Sequence, residues 1–146
     1  MNKDQVNRIE YFALTVEDRP GEGAELGRKL AKEGVNLLAV SAFPTGSGKS
    51  QLDVVPEHPD SFAKAAKKLN LTLGQPKVCF LVQGSDRPGA LADVLGRLGE
   101  AHINVRATLA VCAGGNRYGG LIWVARGDVE AAARALGATT MATHHA

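Results

Sequence analysis

The chain has 146 residues, 45% of them hydrophobic and 22% charged, with a formal net charge of +2. These values suit one ordinary domain or two small fused ones, and so even a charge balance argues against a nucleic-acid partner. No apolar run approaches the roughly 18 residues of a membrane span, and the polar start lacks the apolar stretch of a signal peptide, so no membrane partner and a cytoplasmic location are expected.

Residues 1–8 read as an N-terminal tail. A first unit is expected over 9–76. Phe12, Leu14 and Val16 alternate as a half-buried strand does. An Asp18-Arg19-Pro20-Gly21 turn follows, and a helix carries its stripe on Leu26 and Leu30 until Gly34 ends it. Two runs, Leu37 to Phe43 and Gln51 to Val55, flank the glycine-rich tip Gly46-Ser47-Gly48-Lys49 as a hairpin. An alanine-rich helix over 60–69 and a short closing strand, Leu71 to Leu73, complete the unit.

A second unit is expected over 77–138. Val78, Phe80 and Val82 alternate, and Asp86-Arg87-Pro88-Gly89 leads into a helix with Leu91, Val94, Leu95 and Leu98 at i, i+3, i+4 and i+7. The hairpin runs are Ile103 to Cys112 and Leu121 to Ala125, and the second helix covers 128–136. Nothing after Ala138 reads as a convincing strand, so 139–146 reads as a disordered C-terminal tail that includes His144 and His145. The order β-α-β-β-α-β is the α+β ferredoxin-like motif.

The two units are copies of each other. At a shift of 68 positions, Phe12, Asp18, Arg19, Pro20, Gly21, Ala24, Leu30 and Asn36 fall on Phe80, Asp86, Arg87, Pro88, Gly89, Ala92, Leu98 and Asn104. A tandem duplication is the economical account.

Other motifs carry less. Thr45 to Ser50 has the look of a phosphate loop, but Phe43 stands where the pattern needs glycine and a strand follows where it needs a helix. Cys79 and Cys112 sit in apolar runs outside any C-x-x-C, and His58 and His102 have no partner at ligand spacing. No metal or cofactor is expected. With 7 aromatic residues in the chain, a stacking platform for RNA is not expected either.

The paired Asp-Arg-Pro-Gly turns have a purely structural reading, in which Asp caps, Pro starts the helix and Gly permits a tight path. That reading requires neither the Arg nor the Asn that follows each Asp 18 residues later. The chemistry suits a zwitterion. Free amides at a helix start hold an α-carboxylate, and glycines let it approach. Asp18 or Asp86 offers an acceptor for an α-ammonium, and Asn36 or Asn104 carries both a donor and an acceptor that could bridge the two ends. No nucleophile–base pair or carboxylate dyad accompanies them, so recognition rather than catalysis is expected.

The turns, with Gly34-Val35-Asn36-Leu37 and His102-Ile103-Asn104-Val105, resemble the signature of ACT domains, small ferredoxin-like modules that bind amino acids and regulate metabolism. The resemblance covers about residues 9 to 138 as a tandem pair. It implies two four-stranded antiparallel sheets joined side by side with helices on one face, and a homodimer. It places the ligand at a domain interface, with Asp18, Arg19, Gly21, Asn36 and Leu37 in one half-site. Asp86, Arg87, Gly89, Ala90, Leu91, Asn104 and Val105 form the other. With no catalytic or DNA-binding domain in the chain, the implied role is an amino-acid sensor acting in trans on a metabolic enzyme. A ligand-free assembly module and an acylphosphatase-like hydrolase are the competing readings, the latter weakened by the lack of a glycine-rich phosphate cradle.

Overall fold

The computed structural model describes residues 4–141. Seven strands and four helices fall in the order β1 (Gln5–Glu17), α1 (Glu22–Lys32), β2 (Leu37–Pro44), β3 (Lys49–Pro56), α2 (Pro59–Lys68), β4 (Lys77–Ser85), α3 (Ala90–Glu100), β5 (Val105–Cys112), β6 (Arg117–Val124), α4 (Val129–Leu136) and β7 (Thr139–Thr140). They divide into two compact units, one formed by Glu10–Lys77 and the other by residues 4–9 together with 78–141.

In the first unit, β3 lies between β1 and β2 and runs antiparallel to both. Phe12 faces Val54 and Leu14 faces Leu52, so alternation puts all four on one face of the sheet. Helices α1 and α2 cover that face through Leu26, Leu30 and Phe62. The Phe12 and Phe62 rings meet at 4.8 Å between centroids. Leu71 and Leu73 pack against this core, but the segment forms no regular strand where a closing one is expected.

The second unit repeats the plan with strand order β1–β4–β6–β5. Phe80, Val82 and Ile122 from the strands meet Val94, Leu98, Ala132 and Leu136 from α3 and α4. Its fourth strand is not at its C-terminal end. The first part of β1 supplies it, with Val6 buried in this core, and β7 lies parallel beside it at Asn7 and Arg8. Two expectations are corrected here. Residues 5–8 are strand rather than tail, and so are Thr139 and Thr140. The reason is long-range. Neither segment carries a strong strand pattern alone, and each becomes ordered because the open side of the second sheet needs a backbone partner. His144 and His145 lie outside the described residues.

The turns also start their helices differently from expectation. Neither Asp caps a helix; the N-cap positions are Gly21 and Gly89, at φ +92° and +81°, with no side-chain cap. Only glycine adopts this left-handed conformation without strain, which accounts for its recurrence in both copies.

Candidate functional site

Each Asp-Arg-Pro-Gly turn lies against the tip of its own hairpin. In the first unit the Asp18 amide donates to Gly48 O at 3.0 Å, and Ser50 Oγ donates to Asp18 Oδ1 at 3.0 Å. In the second unit the Asp86 amide donates to Asn116 O at 2.8 Å, and Cys112 Sγ donates to Asp86 Oδ2 at 3.2 Å. The two carboxylates thus tie turn to hairpin by different donors from different strands.

The arginines part company. Arg19 folds onto Glu22, the first residue of α1, with Nη2 and Nε at 2.6 and 3.1 Å from Oε1. Glu22 raises the guanidinium's proton affinity further, chiefly through these bonds. A carboxylate of the protein's own therefore stands at the start of α1, where the helix dipole favours negative charge.

The corresponding residue of α3 is Ala90, buried and uncharged. Arg87 instead grips Asp4 in two parallel bonds, Nη1 to Oδ1 and Nη2 to Oδ2, both 3.1 Å. Its remaining contacts go to Asp93 Oδ2 at 3.0 Å and Ser85 O at 3.1 Å. The Asp4 side chain is only 2% exposed, and Arg87 holds its carboxyl below the ordinary value of 3.8 against the opposing effect of burial. Tyr118 is buried beside this pair, and its hydroxyl has no hydrogen-bond partner of good geometry. Burial first, and the Asp4 charge second, push its phenol up to about 12.

A cavity of about 300 Å³ opens at the second turn, with Asp86, Gly89, Leu91, Val111, Cys112 and Tyr118 in its walls. Ala90 N–H is taken by Arg87 O and Asp93 N–H by Gly89 O. Among the described residues this leaves the amides of Leu91 and Ala92 as the open donors of the first helical turn. A cavity edged by such donors and by the Asp86 carboxylate matches the two charges of a zwitterion.

Not every expected site residue comes to this place. Asp86, Arg87, Gly89, Ala90 and Leu91 line the cavity together, and Asp18, Arg19 and Gly21 occupy the matching position in the first unit. The asparagines do not join them within either unit. Asn36 and Asn104 follow the far ends of α1 and α3, which as 11-residue helices separate them from the turns by about 16 Å. Asn36 Nδ2 donates to Glu57 Oε2 at 2.9 Å, beyond the opposite end of β3 from Ser50. Leu37 and Val105 pack against their respective cores. Sequence reasoning missed Asp4, Ser50, Cys112 and Tyr118. The glycine-rich tips were the available signal for the last three, since a tight hairpin return beside the turn brings its flanking residues to the turn. Asp4 left no such trace, because it lies 83 positions from the arginine it binds.

No family model matches the chain, and no curated protein sequence matches it significantly. Solved structures do. Protein BT0572 from Bacteroides thetaiotaomicron superposes with a TM-score of 0.75 at 22% identity, over 92% of this chain and 88% of that one. The ligand-free regulatory subunit of aspartate kinase from Thermus thermophilus follows at 0.61 and 14%, over 94% and 95%. The Thermus flavus regulatory subunit gives 0.55 and 15%, over 93% and 94%. At these identities the likeness is one of fold, and it is consistent with the resemblance to ACT domains carried by the repeated turns.

Proposed function

We propose that the protein is a non-catalytic regulator that binds a free amino acid at the second turn and acts in trans on a metabolic enzyme. The observation that carries this reading is the asymmetry of the two helix starts. The first carries the Glu22–Arg19 ion pair, whereas the second has Ala90, an open cavity and an acidic residue beside it. The α-carboxylate would accept from the Leu91 and Ala92 amides, and the α-ammonium would donate to Asp86. The fold shared with regulatory subunits of aspartate kinase supports a regulatory role. Phe43 on β2, with Leu109 and Val111 on β5, exposes bulky apolar side chains, which supports the expected homodimer.

Thermal denaturation against each proteinogenic amino acid tests the proposal. A ligand that binds only the folded state raises Tm by mass action, by about 2.7 kcal/mol of stability at a hundredfold excess over Kd. Asp86→Ala and Ala90→Glu, the latter importing the first unit's blocking carboxylate, are expected to abolish the shift. Asn104→Ala is expected to leave it intact. A wild-type protein whose Tm no amino acid moves would sink this reading.

A further inference from the structure

The feature left unexplained by amino-acid recognition is Asp4. It is an acidic side chain almost fully out of solvent, immediately before β1, 83 positions from the arginine it binds. Its place is prepared by Gly84 on β4. A Cβ at Gly84 would collide with Asp4 Oδ1 and lie 2.9 Å from Tyr118 Cε1, so the carboxylate and the ring share the space that the missing side chain leaves. Above this seat, Arg87 is committed in four directions, two of them to Asp4.

The first copy shows what a turn arginine does without such a partner. Arg19 pairs with Glu22 of its own helix, and its side chain is 68% exposed against 34% for Arg87. Arg19 lies across the helix start on Glu22. The two turns have the same four residues, so the difference must come from what the arginine can reach.

We infer that Asp4 is a positioning residue for the second turn: by holding Arg87 down on β4, it keeps the guanidinium off Asp86 and the mouth of the cavity clear. The inference rests on the reading of that cavity as an amino-acid site, but the geometry it concerns is present without ligand. It makes Asp4 part of the site although it touches no ligand. An amino acid that prefers the cleared cavity then favours the seated N-terminal strand by the same factor, since coupling between two equilibria is reciprocal. The segment that feels this coupling continues without a break into the first unit as Glu10–Glu17.

Cys112 provides a reporter that needs no ligand. It is exposed and donates to Asp86, while Cys79, the other cysteine, is fully buried. In the full-length protein, the alkylation rate of Cys112 by iodoacetamide is to be measured for wild type, Asp4→Asn, Gly84→Ala and Arg8→Ala. Asp4→Asn weakens the clamp, and Gly84→Ala evicts Asp4 without altering it. A released Arg87 that takes Asp86 removes the thiol's acceptor and sets a cation beside it, so alkylation should accelerate by roughly threefold or more in both variants. Arg8→Ala loosens the same strand by deleting the 2.7 Å Arg8–Glu130 pair without touching Arg87, and should leave the rate unchanged. Unchanged rates in both clamp variants, or an equal acceleration in Arg8→Ala, overturn the inference.

The second arm repeats the measurement and the Tm shift in the presence of each proteinogenic amino acid. Loss of the wild-type shift in Asp4→Asn and Gly84→Ala, with retention in Arg8→Ala, is expected. Retention in the clamp variants overturns the inference. If no amino acid acts on wild type, the proposed ligand class fails while the ligand-free rates still decide the role of Asp4.

Discussion

Arg19 and Arg87 occupy the same place in the same four-residue turn, yet one closes on its own helix and the other on a strand from the opposite end of the chain. The consequence is measurable through pH. The Asp4 carboxyl titrates below its ordinary 3.8 in the folded protein, chiefly because Arg87 bonds its charged form, with burial opposing and Tyr118 and Arg97 contributing less. A depressed folded value means that the seat stabilises the fold above pH 3.8 and that this contribution disappears as pH falls through the folded value. Hydrogen exchange of amides 5–9 is therefore expected to lose protection only below about pH 3.8 in wild type. In Asp4→Asn that acid step should vanish. Arg87→Ala, which leaves the buried carboxylate without its partner, is expected to lower the midpoint of a denaturant titration at pH 7.

Most of the elements follow from local rules. Helix α3 forms where its apolar residues recur at helical spacing, and both hairpins form where alternating runs flank glycine-rich tips. Helix α1 is poorer in apolar residues, with Leu26 and Leu30 alone buried, and it opens on acids and closes on bases as the helix dipole favours. Its unit therefore leans on α2. Phe62 is fully buried between the sheet and α1, against Phe12. Phe62→Ala is expected to cost about 3–5 kcal/mol by thermal or urea unfolding, because a cavity of that size does not close over. A cost below 1 kcal/mol would mean that this core is not packed as described. Burial aligns Phe62 and Ala65 of α2 with Val129 and Ala132 of α4, so a smaller side chain fills the phenylalanine's place in the second core.

At the scale of the whole molecule, the chain is a duplication cut out of register with its folding units. The second copy borrows its outer strand from residues ahead of the first copy and adds the short β7 beside it. Deleting residues 1–9 removes Val6 from the second core, Asp4 from its seat and a strand from the side of β4. Hydrogen exchange is then expected to show amides of Lys77–Ser85 losing at least tenfold protection, about 1.4 kcal/mol, while Lys49–Pro56 in the first unit changes far less. Equal protection in both segments would refute this dependence. The fold class, the duplication and the positions of the two turns were legible in the amino-acid order itself, because periodicity, glycine at left-handed positions and internal identity are local properties. The closing strand of the second unit and the different partners of Arg19 and Arg87 were decided only by tertiary structure. Each depends on which distant segment completes a sheet or satisfies a buried charge, and the energy of such a contact is not written in the residues on either side of it.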